Sequence, residues 1–137
     1  MSLLYLDASA IVKLIRAEPE TPSLRKFIGD ADLVASQLVV AEVPRAIRRA
    51  VESDPQLPLE SLLGQARAVL AAIALHRLDR AVLAAAGAIS EPLLRTLDAV
   101  HVVAAVDLAP LDAFVTYDER QAAAARLAGL RTAQPGS

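Results

Sequence analysis

Short apolar runs alternate with segments of helical periodicity along this chain, and this alternation restricts the possible folds more than any other feature. The run LLYL (residues 3–6) is apolar throughout, which is typical of a strand buried on both faces of a parallel sheet. Later runs with strand character are DLVAS, IALHRL, AFVTY and LRT. Because helical patterns separate these runs, we predict an α/β fold, a three-layer α/β/α sandwich with a mostly parallel central sheet.

The segments between the predicted strands have apolar residues at helical spacing. Helices are predicted at SAIVKLIRAE, at TPSLRKFIGD and at about residues 36–51, 59–72, 79–89, 96–106 and 118–129. The predicted amino-terminal caps of these helices include Thr21, Ser36, Asp79, Thr96 and Asp118. Since no linker or repeat interrupts the pattern, residues 1–137 are predicted to form one domain, with a flexible tail at about 133–137 (AQPGS).

The composition limits where such a protein can work. The chain of 137 residues has no cysteine, which excludes disulfides and thiolate metal sites and is consistent with a reducing compartment. Its start, MSLLYLDASA, lacks the basic segment and the long apolar run of a signal peptide or a membrane span. We therefore expect a cytoplasmic protein that makes no contact with a membrane.

The charge balance limits which partners the whole surface can attract. The formal net charge is −2, so the protein has no overall attraction for nucleic acid. Aromatic side chains make up only 3% of the chain, which leaves few platforms on which bases can stack. Any contact with a polyanion would depend on a local cluster of basic side chains or on bound metal.

Four acidic residues lie in apolar surroundings: Asp7, Glu42, Asp98 and Asp118. Asp7 and Asp118 follow predicted strands directly, and open α/β sheets bind their ligands at the carboxyl ends of strands. Glu42 and Asp98 lie on predicted helices that can pack beside this edge. Each acid also has an ordinary interpretation: the three aspartates as helix caps or dipole partners, and Glu42 as the partner of Arg45. One shared site accounts for all four acids at once.

A shared site of several carboxylates needs compensating positive charge, because ionised carboxylates in one pocket raise one another's pKa. Oxygen donors without a cysteine cluster or a histidine pair favour Mg²⁺ or Mn²⁺. Hydrolysis of a phosphodiester requires an activated water and stabilisation of negative charge, both of which such ions supply. No serine-histidine-aspartate or cysteine-histidine arrangement offers a competing chemistry.

Four stretches of the chain resemble, in order, the acidic motifs of PIN-domain ribonucleases, particularly the VapC toxins of bacterial toxin-antitoxin pairs. These stretches are LDASAIVKL, SQLVVAEVPRAIRR, LRTLDAVHVVAA and FVTYDER, and together they span nearly the whole chain. The resemblance implies a PIN-like fold and a Mg²⁺- or Mn²⁺-dependent endoribonuclease that hydrolyses RNA. The catalytic residues that it implies are Asp7, Glu42, Asp98 and Asp118, of which Asp7 and Asp98 bind the metal. The implied partners are RNA, a small antitoxin whose amphipathic segment lies in a groove, and a second copy of the chain.

Three further side chains are candidates for supporting roles. The hydroxyls of Ser9 and Thr116 lie near the predicted edge and are suited to orient Asp7, although a helix cap and a plain strand residue are the alternatives. His101 follows Asp98 by three positions on the same helix, so it can hydrogen-bond a carboxylate of the site or be an ordinary core histidine.

Basic side chains near two of the acids are candidates for contact with RNA. Arg45 and Arg49 follow Glu42 and share one face of its predicted helix, and Lys13 follows Asp7 on another helix. They can lead phosphates toward the acids, or they can belong to solvated helix faces. Phosphate contacts carry no sequence readout, so the RNA target is not encoded in them.

Two other functions are compatible with parts of this pattern. A receiver-like signalling domain also has an acidic Mg²⁺ pocket at strand ends, but it needs an adjacent pair of acids and a late lysine, and no lysine follows Lys26. A PIN-like domain that has lost catalysis and only binds a partner remains open. With 55% hydrophobic residues and a mean hydropathy of +0.41, the chain is expected to keep apolar surface for an interface.

Overall fold

The computed structural model describes residues 2–137, which form five strands and seven helices. The strands are β1 (Leu3–Leu6), β2 (Asp32–Ser36), β3 (Ala74–His76), β4 (Ala113–Val115) and β5 (Thr132–Ala133). The helices are α1 (Ala8–Ile15), α2 (Thr21–Ile28), α3 (Val39–Ser53), α4 (Leu59–Ala71), α5 (Arg80–Gly87), α6 (Thr96–Leu108) and α7 (Glu119–Leu127). Within residues 2–137, no helix is both long and apolar enough to cross a membrane.

The sheet has the strand order β3-β2-β1-β4-β5, and every pair of neighbouring strands is parallel. The chain winds outward from β1 through β2 to β3, and then returns to the other side of β1 for β4 and β5. The carboxyl ends of β1 and β4 therefore lie side by side at the point where the winding direction reverses, which is where sheets of this type bind ligands.

Alternation along β1 divides the core into two layers. Leu4 and Leu6 point to one face and pack with residues of α1, α2, α3 and α4. Tyr5 points to the other face, where it packs with Phe114 and with alanines of α6 and α7. The predicted three-layer α/β/α sandwich is confirmed, and the sheet is parallel throughout.

Three aspartates cap helices, as predicted, and follow the usual logic of helix starts. The carboxylate of Asp7 accepts a hydrogen bond from the backbone of Ala10 at the start of α1. The carboxylate of Asp79 accepts a hydrogen bond from the backbone of Val82 at 3.0 Å. The carboxylate of Asp118 accepts from the backbone N–H groups of Arg120 and Gln121. Each aspartate thus satisfies N–H groups that the first helical turn leaves free.

Three other predicted caps are wrong, because tertiary contacts engage their hydroxyls or because the helix begins elsewhere. Thr21 is the first residue of α2, and its buried hydroxyl donates to the carbonyl of Lys13 at 2.8 Å, which joins α2 to α1. Thr96 is the first residue of α6 rather than its cap. Ser36 ends β2, and its hydroxyl accepts from the backbone of Leu38 ahead of α3.

The carboxyl-terminal segment, for which a flexible tail is predicted, makes contacts with the rest of the domain. Ala133 pairs with β4, and the hydroxyl of Tyr117 donates to the carbonyl of Pro135 at 2.8 Å. Gly136 has a φ of +86°, and a Cβ atom there would lie 3.1 Å from Cα of Glu20. Glycine allows both this conformation and this close approach of the backbone to the start of α2.

Candidate active site

Asp7 lies where β1 ends and α1 begins, and both of its carboxylate oxygens are occupied. Oδ1 accepts hydrogen bonds from the hydroxyl of Ser9 at 2.6 Å and from the backbone of Ala10 at 3.1 Å. Oδ2 accepts from the hydroxyl of Thr116 at 2.5 Å. Asp7 is only 6% exposed as a residue, so these three donors define the orientation of its carboxylate.

The two hydroxyls that hold Asp7 are themselves held by the turn after β4. The backbone N–H of Tyr117 donates to Ser9 Oγ at 2.9 Å, and that of Asp118 donates to Thr116 Oγ1 at 3.1 Å. Each hydroxyl therefore accepts from the backbone and gives its own hydrogen to Asp7. This network joins the carboxyl ends of β1 and β4 and places both predicted hydroxyls against the aspartate.

The buried surroundings of Asp7 disfavour the ionised form of its carboxyl group. Burial raises the pKa of its carboxyl above the usual value, and the hydrogen bonds from Ser9, Thr116 and Ala10 oppose that rise only in part. A nearby positive charge favours the ionised form of a carboxyl, so a cation beside Asp7 would offset the cost of burial.

Asp98 lies in the first turn of α6, close enough to the other acids to be affected by their charges. Partial burial raises the pKa of Asp98, and the negative charges of Asp118 and Glu42 raise it further. The side-chain amide of Gln121 donates to the backbone carbonyl of Asp98 at 3.3 Å, which ties the start of α7 to the start of α6. Asp118 itself is exposed and faces the amino end of α7 as its cap.

Glu42 lies in the first turn of α3 and is bound to a histidine from the opposite layer. Its Oε1 lies 2.6 Å from Nε2 of His101, and Nδ1 of the same ring lies 2.7 Å from the hydroxyl of Tyr5. His101 is only 2% exposed, whereas Glu42 reaches the surface of a cleft. Within residues 2–137 no ion pair joins Glu42 to Arg45, so the alternative pairing of these two residues is wrong.

A cleft of about 620 Å³ opens beside these groups, between α1 and α3. Its polar lining consists of Ser9, Lys13, Glu18, Glu42, Arg45, Arg49 and Tyr117. Its apolar lining includes Val12, Leu38 and Leu97. The lining of the cleft is therefore mixed, and of the four candidate acids only Glu42 belongs to it.

The three predicted basic residues all line this cleft, but their charges differ in availability. Lys13 is paired with Glu18 and Glu20, and its ammonium lies 4.7 Å from the centre of the Tyr117 ring. Arg45 and Arg49 are exposed, and among residues 2–137 neither has a carboxylate partner within ion-pair distance. The two arginines are therefore the basic side chains most available to a phosphate.

The acids share one edge of the sheet without being drawn together around a single point. Within residues 2–137, no three histidine or acidic side chains are grouped closely enough to hold one metal ion. The side chain of Glu42 is bound to His101, and that of Asp118 is turned to its own helix. The donor chemistry nevertheless suits Mg²⁺ or Mn²⁺, because the candidate ligands are carboxylates and a cation would offset the raised pKa of Asp7 and Asp98.

Sequence reasoning missed one polar group of this site. Tyr5 counted only as part of the apolar strand LLYL, yet its hydroxyl accepts from the backbone N–H of Ser36 at 3.1 Å and contacts His101. The available signal was the hydroxyl itself, since a buried tyrosine usually finds a partner for it. Which partner it finds depends on elements far apart in the sequence.

Comparison with known proteins places this chain in a family. The model of the PIN domain matches residues 4–127. Ribonuclease VapC46 of Mycobacterium tuberculosis is 39% identical over 137 residues, which cover 98% of this chain and 99% of the relative. Ribonuclease VapC35 of the same organism is 36% identical over 141 residues, with 98% of each chain covered. The chain belongs to the PIN-domain family of VapC ribonucleases.

Solved structures similar to this PIN domain have the same fold. Mycobacterium tuberculosis VapC20, a toxin that cleaves the sarcin-ricin loop, superposes with a TM-score of 0.71 and 13% identity over 96% of this chain and 99% of that one. VapBC2 of Rickettsia felis, bound to a DNA fragment from its promoter, superposes with a TM-score of 0.67 and 12% identity over 96% and 97% of the chains. The predicted PIN-like fold is therefore confirmed.

Proposed function

We propose that this PIN domain is a divalent-metal-dependent endoribonuclease and acts in the cytoplasm as the toxin of a toxin-antitoxin module. The observation that carries the proposal is the acidic edge at the switch point of the sheet. There Asp7 is held rigidly, and the charges of Glu42 and Asp118 raise the pKa of Asp98. Membership of the VapC ribonuclease family supports RNA as the substrate.

Asp7 and Asp98 are the proposed metal ligands. A divalent cation bound there supplies neutralisation of phosphate charge and a water of lowered pKa. Ser9 and Thr116 keep both oxygens of Asp7 in place, so that this ligand does not need to be ordered when the site is loaded.

Glu42 and Asp118 complete the proposed catalytic set. Glu42 borders the cleft and is held from behind by His101, so it is suited to accept a hydrogen bond from an attacking water and orient it. Asp118 adds negative charge beside Asp98, which strengthens the attraction of the site for a cation.

RNA is proposed to reach the acids along the two arginines that line the cleft. Arg45 and Arg49 lie one and two turns after Glu42 on α3, and both are exposed. Phosphate oxygens bound by these guanidinium groups would bring the backbone of a single strand toward the acids. Lys13 lies on the same cleft, but its pairing with Glu18 and Glu20 leaves less of its charge for RNA.

An antitoxin and a second copy of the chain are the proposed protein partners. The apolar residues that line the cleft, Val12, Leu38 and Leu97, suit the apolar face of an amphipathic antitoxin segment, which would also cover the approach to the acids. A separate apolar area surrounds Leu93 and Leu127, which are 73% and 75% exposed, and it is the proposed homodimer contact.

Cleavage of pooled RNA by the purified protein tests the activity. We expect cleavage with Mg²⁺ or Mn²⁺, its loss in EDTA, and loss in Asp7→Asn and Asp98→Asn. Asp32→Asn is the matched control, because it removes the same charge from an exposed site at the opposite, amino end of β2. Cleavage that continues after complete chelation would exclude the metal mechanism.

Growth after induced expression tests the toxin role. The wild type is expected to arrest growth, Asp98→Asn to allow it, and the cognate antitoxin to relieve the arrest. RNA that stays intact with soluble protein and added metal would instead favour a PIN domain that only binds partners.

A further inference from the structure

The hydroxyl of Tyr5 joins the two helical layers through a chain of hydrogen bonds that ends at Glu42. Tyr5 and His101 belong to the face covered by α6, whereas α3, which carries Glu42, covers the opposite face. The bond between His101 and Glu42 therefore crosses the carboxyl edge of the sheet. Tyr5 is 0% exposed and His101 is 2% exposed, so water does not compete for these bonds.

The direction of each hydrogen bond in this chain follows from its first donor. The backbone N–H of Ser36 can only donate, so the oxygen of Tyr5 accepts. Among residues 2–137 the hydroxyl has only one other partner, Nδ1 of His101, which therefore accepts the phenolic hydrogen. The hydrogen of the neutral ring then lies on Nε2, which donates to Oε1 of Glu42.

The packing of the tyrosine ring makes this arrangement rigid. Phe114 stacks on the ring of Tyr5 with a centroid distance of 4.8 Å and an interplanar angle of 16°. The ring of His101 meets that of Tyr5 edge-on at 5.9 Å.

The charges around Glu42 favour other positions of its carboxylate, so a fixed hydrogen-bond donor is needed to keep it in place. Asp98 lies one turn before His101 on α6, and its pKa is raised in part by the charge of Glu42. Like charges favour separation, and the neighbouring Arg45 offers Glu42 an alternative partner in solvent. A fixed N–H donor on α6 keeps the carboxylate beside Asp98 instead.

We propose that Tyr5 and His101 are positioning residues of the RNA cleavage site: the Ser36 N–H and the Tyr5 hydroxyl select the His101 tautomer whose Nε2–H holds Glu42 beside Asp98. This inference rests on the proposed function, because it assigns Glu42 a part in cleavage. Neither positioning residue touches the substrate. Their contribution is to keep Glu42 in place without reorganisation.

Nitrogen NMR of the imidazole rings tests the tautomer directly and without any activity. The chain has two histidines, so a His76→Gln variant assigns the signals of His101. We expect His101 to be hydrogen-bearing at Nε2 and bare at Nδ1, and we expect Tyr5→Phe to produce a mixture of tautomers. A wild-type ring with its hydrogen on Nδ1 would overturn the proposal even if Tyr5→Phe failed to fold.

RNA cleavage tests the consequence for the site. Replacing a residue that orients a ligand usually costs tenfold to hundredfold, so Tyr5→Phe is expected to cleave about 10- to 100-fold more slowly well below its melting temperature. Leu24→Ala, a fully buried change in α2, is the control for lost stability alone and should cleave at the wild-type rate. In a Glu42→Gln background, Tyr5→Phe should change the residual rate by less than about twofold, because both act through one carboxylate.

The two levels of the proposal fail in different ways. If Glu42→Gln cleaves like the wild type, the proposed role of Glu42 is wrong, and this inference falls with it. If Glu42→Gln is inactive while Tyr5→Phe keeps the wild-type rate, the proposed function stands and the positioning role of Tyr5 is wrong.

Discussion

Replacing Tyr5 with phenylalanine should destabilise the fold by more than the loss of one hydroxyl usually does. The substitution keeps the ring, which packs against Phe114, and it removes only the oxygen. Two groups then lose their partner in a fully enclosed place: the backbone N–H of Ser36, 1% exposed as a residue, and Nδ1 of His101, 2% exposed.

The magnitude follows from these two orphaned groups. A buried polar group left without a partner costs about 1–3 kcal/mol, so two cost roughly 2–6 kcal/mol. Part of this cost is recovered, because phenylalanine has no hydroxyl to desolvate on folding. We expect a net loss in the free energy of unfolding of about 2–4 kcal/mol. For a chain of this length, such a loss lowers Tm by roughly 8–16 °C.

Urea unfolding of the variant and of a matched control measures this loss. The only other tyrosine, Tyr117, donates its hydroxyl to the carbonyl of Pro135 in a partly exposed place, so Tyr117→Phe should cost only about 0.5–1.5 kcal/mol. The comparison holds ring chemistry constant and changes only the burial of the partners. A loss in Tyr5→Phe no larger than that in Tyr117→Phe would refute the reasoning, since it would mean that Ser36 and His101 do not depend on the hydroxyl.

Three further predictions concern pH, RNA and assembly. Burial raises the native pKa of Asp7 above its ordinary value of 3.8, so the native state binds the proton more tightly than the unfolded state does. Without metal, the free energy of unfolding should therefore fall as pH rises from about 3.8 through the native pKa. Asp7→Asn lacks this titrating group, so its free energy of unfolding should rise relative to that of the wild type as pH rises. Unfolding experiments across pH measure this difference, and parallel profiles of the two proteins would contradict the sign. Replacing both Arg45 and Arg49 with glutamine should weaken RNA binding and reduce the salt dependence of log K by about 0.7 for each lost phosphate contact, measured by fluorescence anisotropy. Arg48→Gln, on the same helix but outside the cleft, is the control. An equal loss of RNA binding in this variant would contradict the proposed role of Arg45 and Arg49. Leu127→Glu should convert the proposed homodimer to a monomer in sedimentation experiments, whereas Leu83→Glu, on exposed α5 surface, should not; an unchanged mass for Leu127→Glu would place the interface elsewhere.

The arrangement of strand ends was predictable because it follows from local pattern and chain topology. Apolar runs separated by helices require parallel strands, and parallel strands put their carboxyl ends on one edge. Asp7 and Asp118 follow two such runs, so their place at that edge needed no knowledge of packing. The capping roles of Asp79 and Asp118 were equally local, since a cap and the N–H groups it binds lie within three residues.

Local pattern failed wherever a hydroxyl or a backbone segment had a distant partner. The side chain of Thr21 suits a helix cap, but its hydroxyl binds the end of α1 instead. The polar segment AQPGS has the composition of a flexible tail, yet its Pro135 carbonyl accepts from Tyr117 and its backbone at Gly136 passes close to Glu20. In both cases the deciding contact comes from an element that lies outside the local sequence.

The sequence by itself determined which residues could meet at the edge of the sheet, and the tertiary structure decided how they are bound there. Periodicity assigns His101 and Glu42 to helices, but it does not say that they meet across 59 positions, or that Tyr5 reaches His101 across 96. Such pairs depend on the crossing of two layers over one strand end, which is set by the packing of the whole core. The same packing holds Glu42 toward His101 and leaves Asp7 and Asp98 as the acids whose pKa is raised by their surroundings.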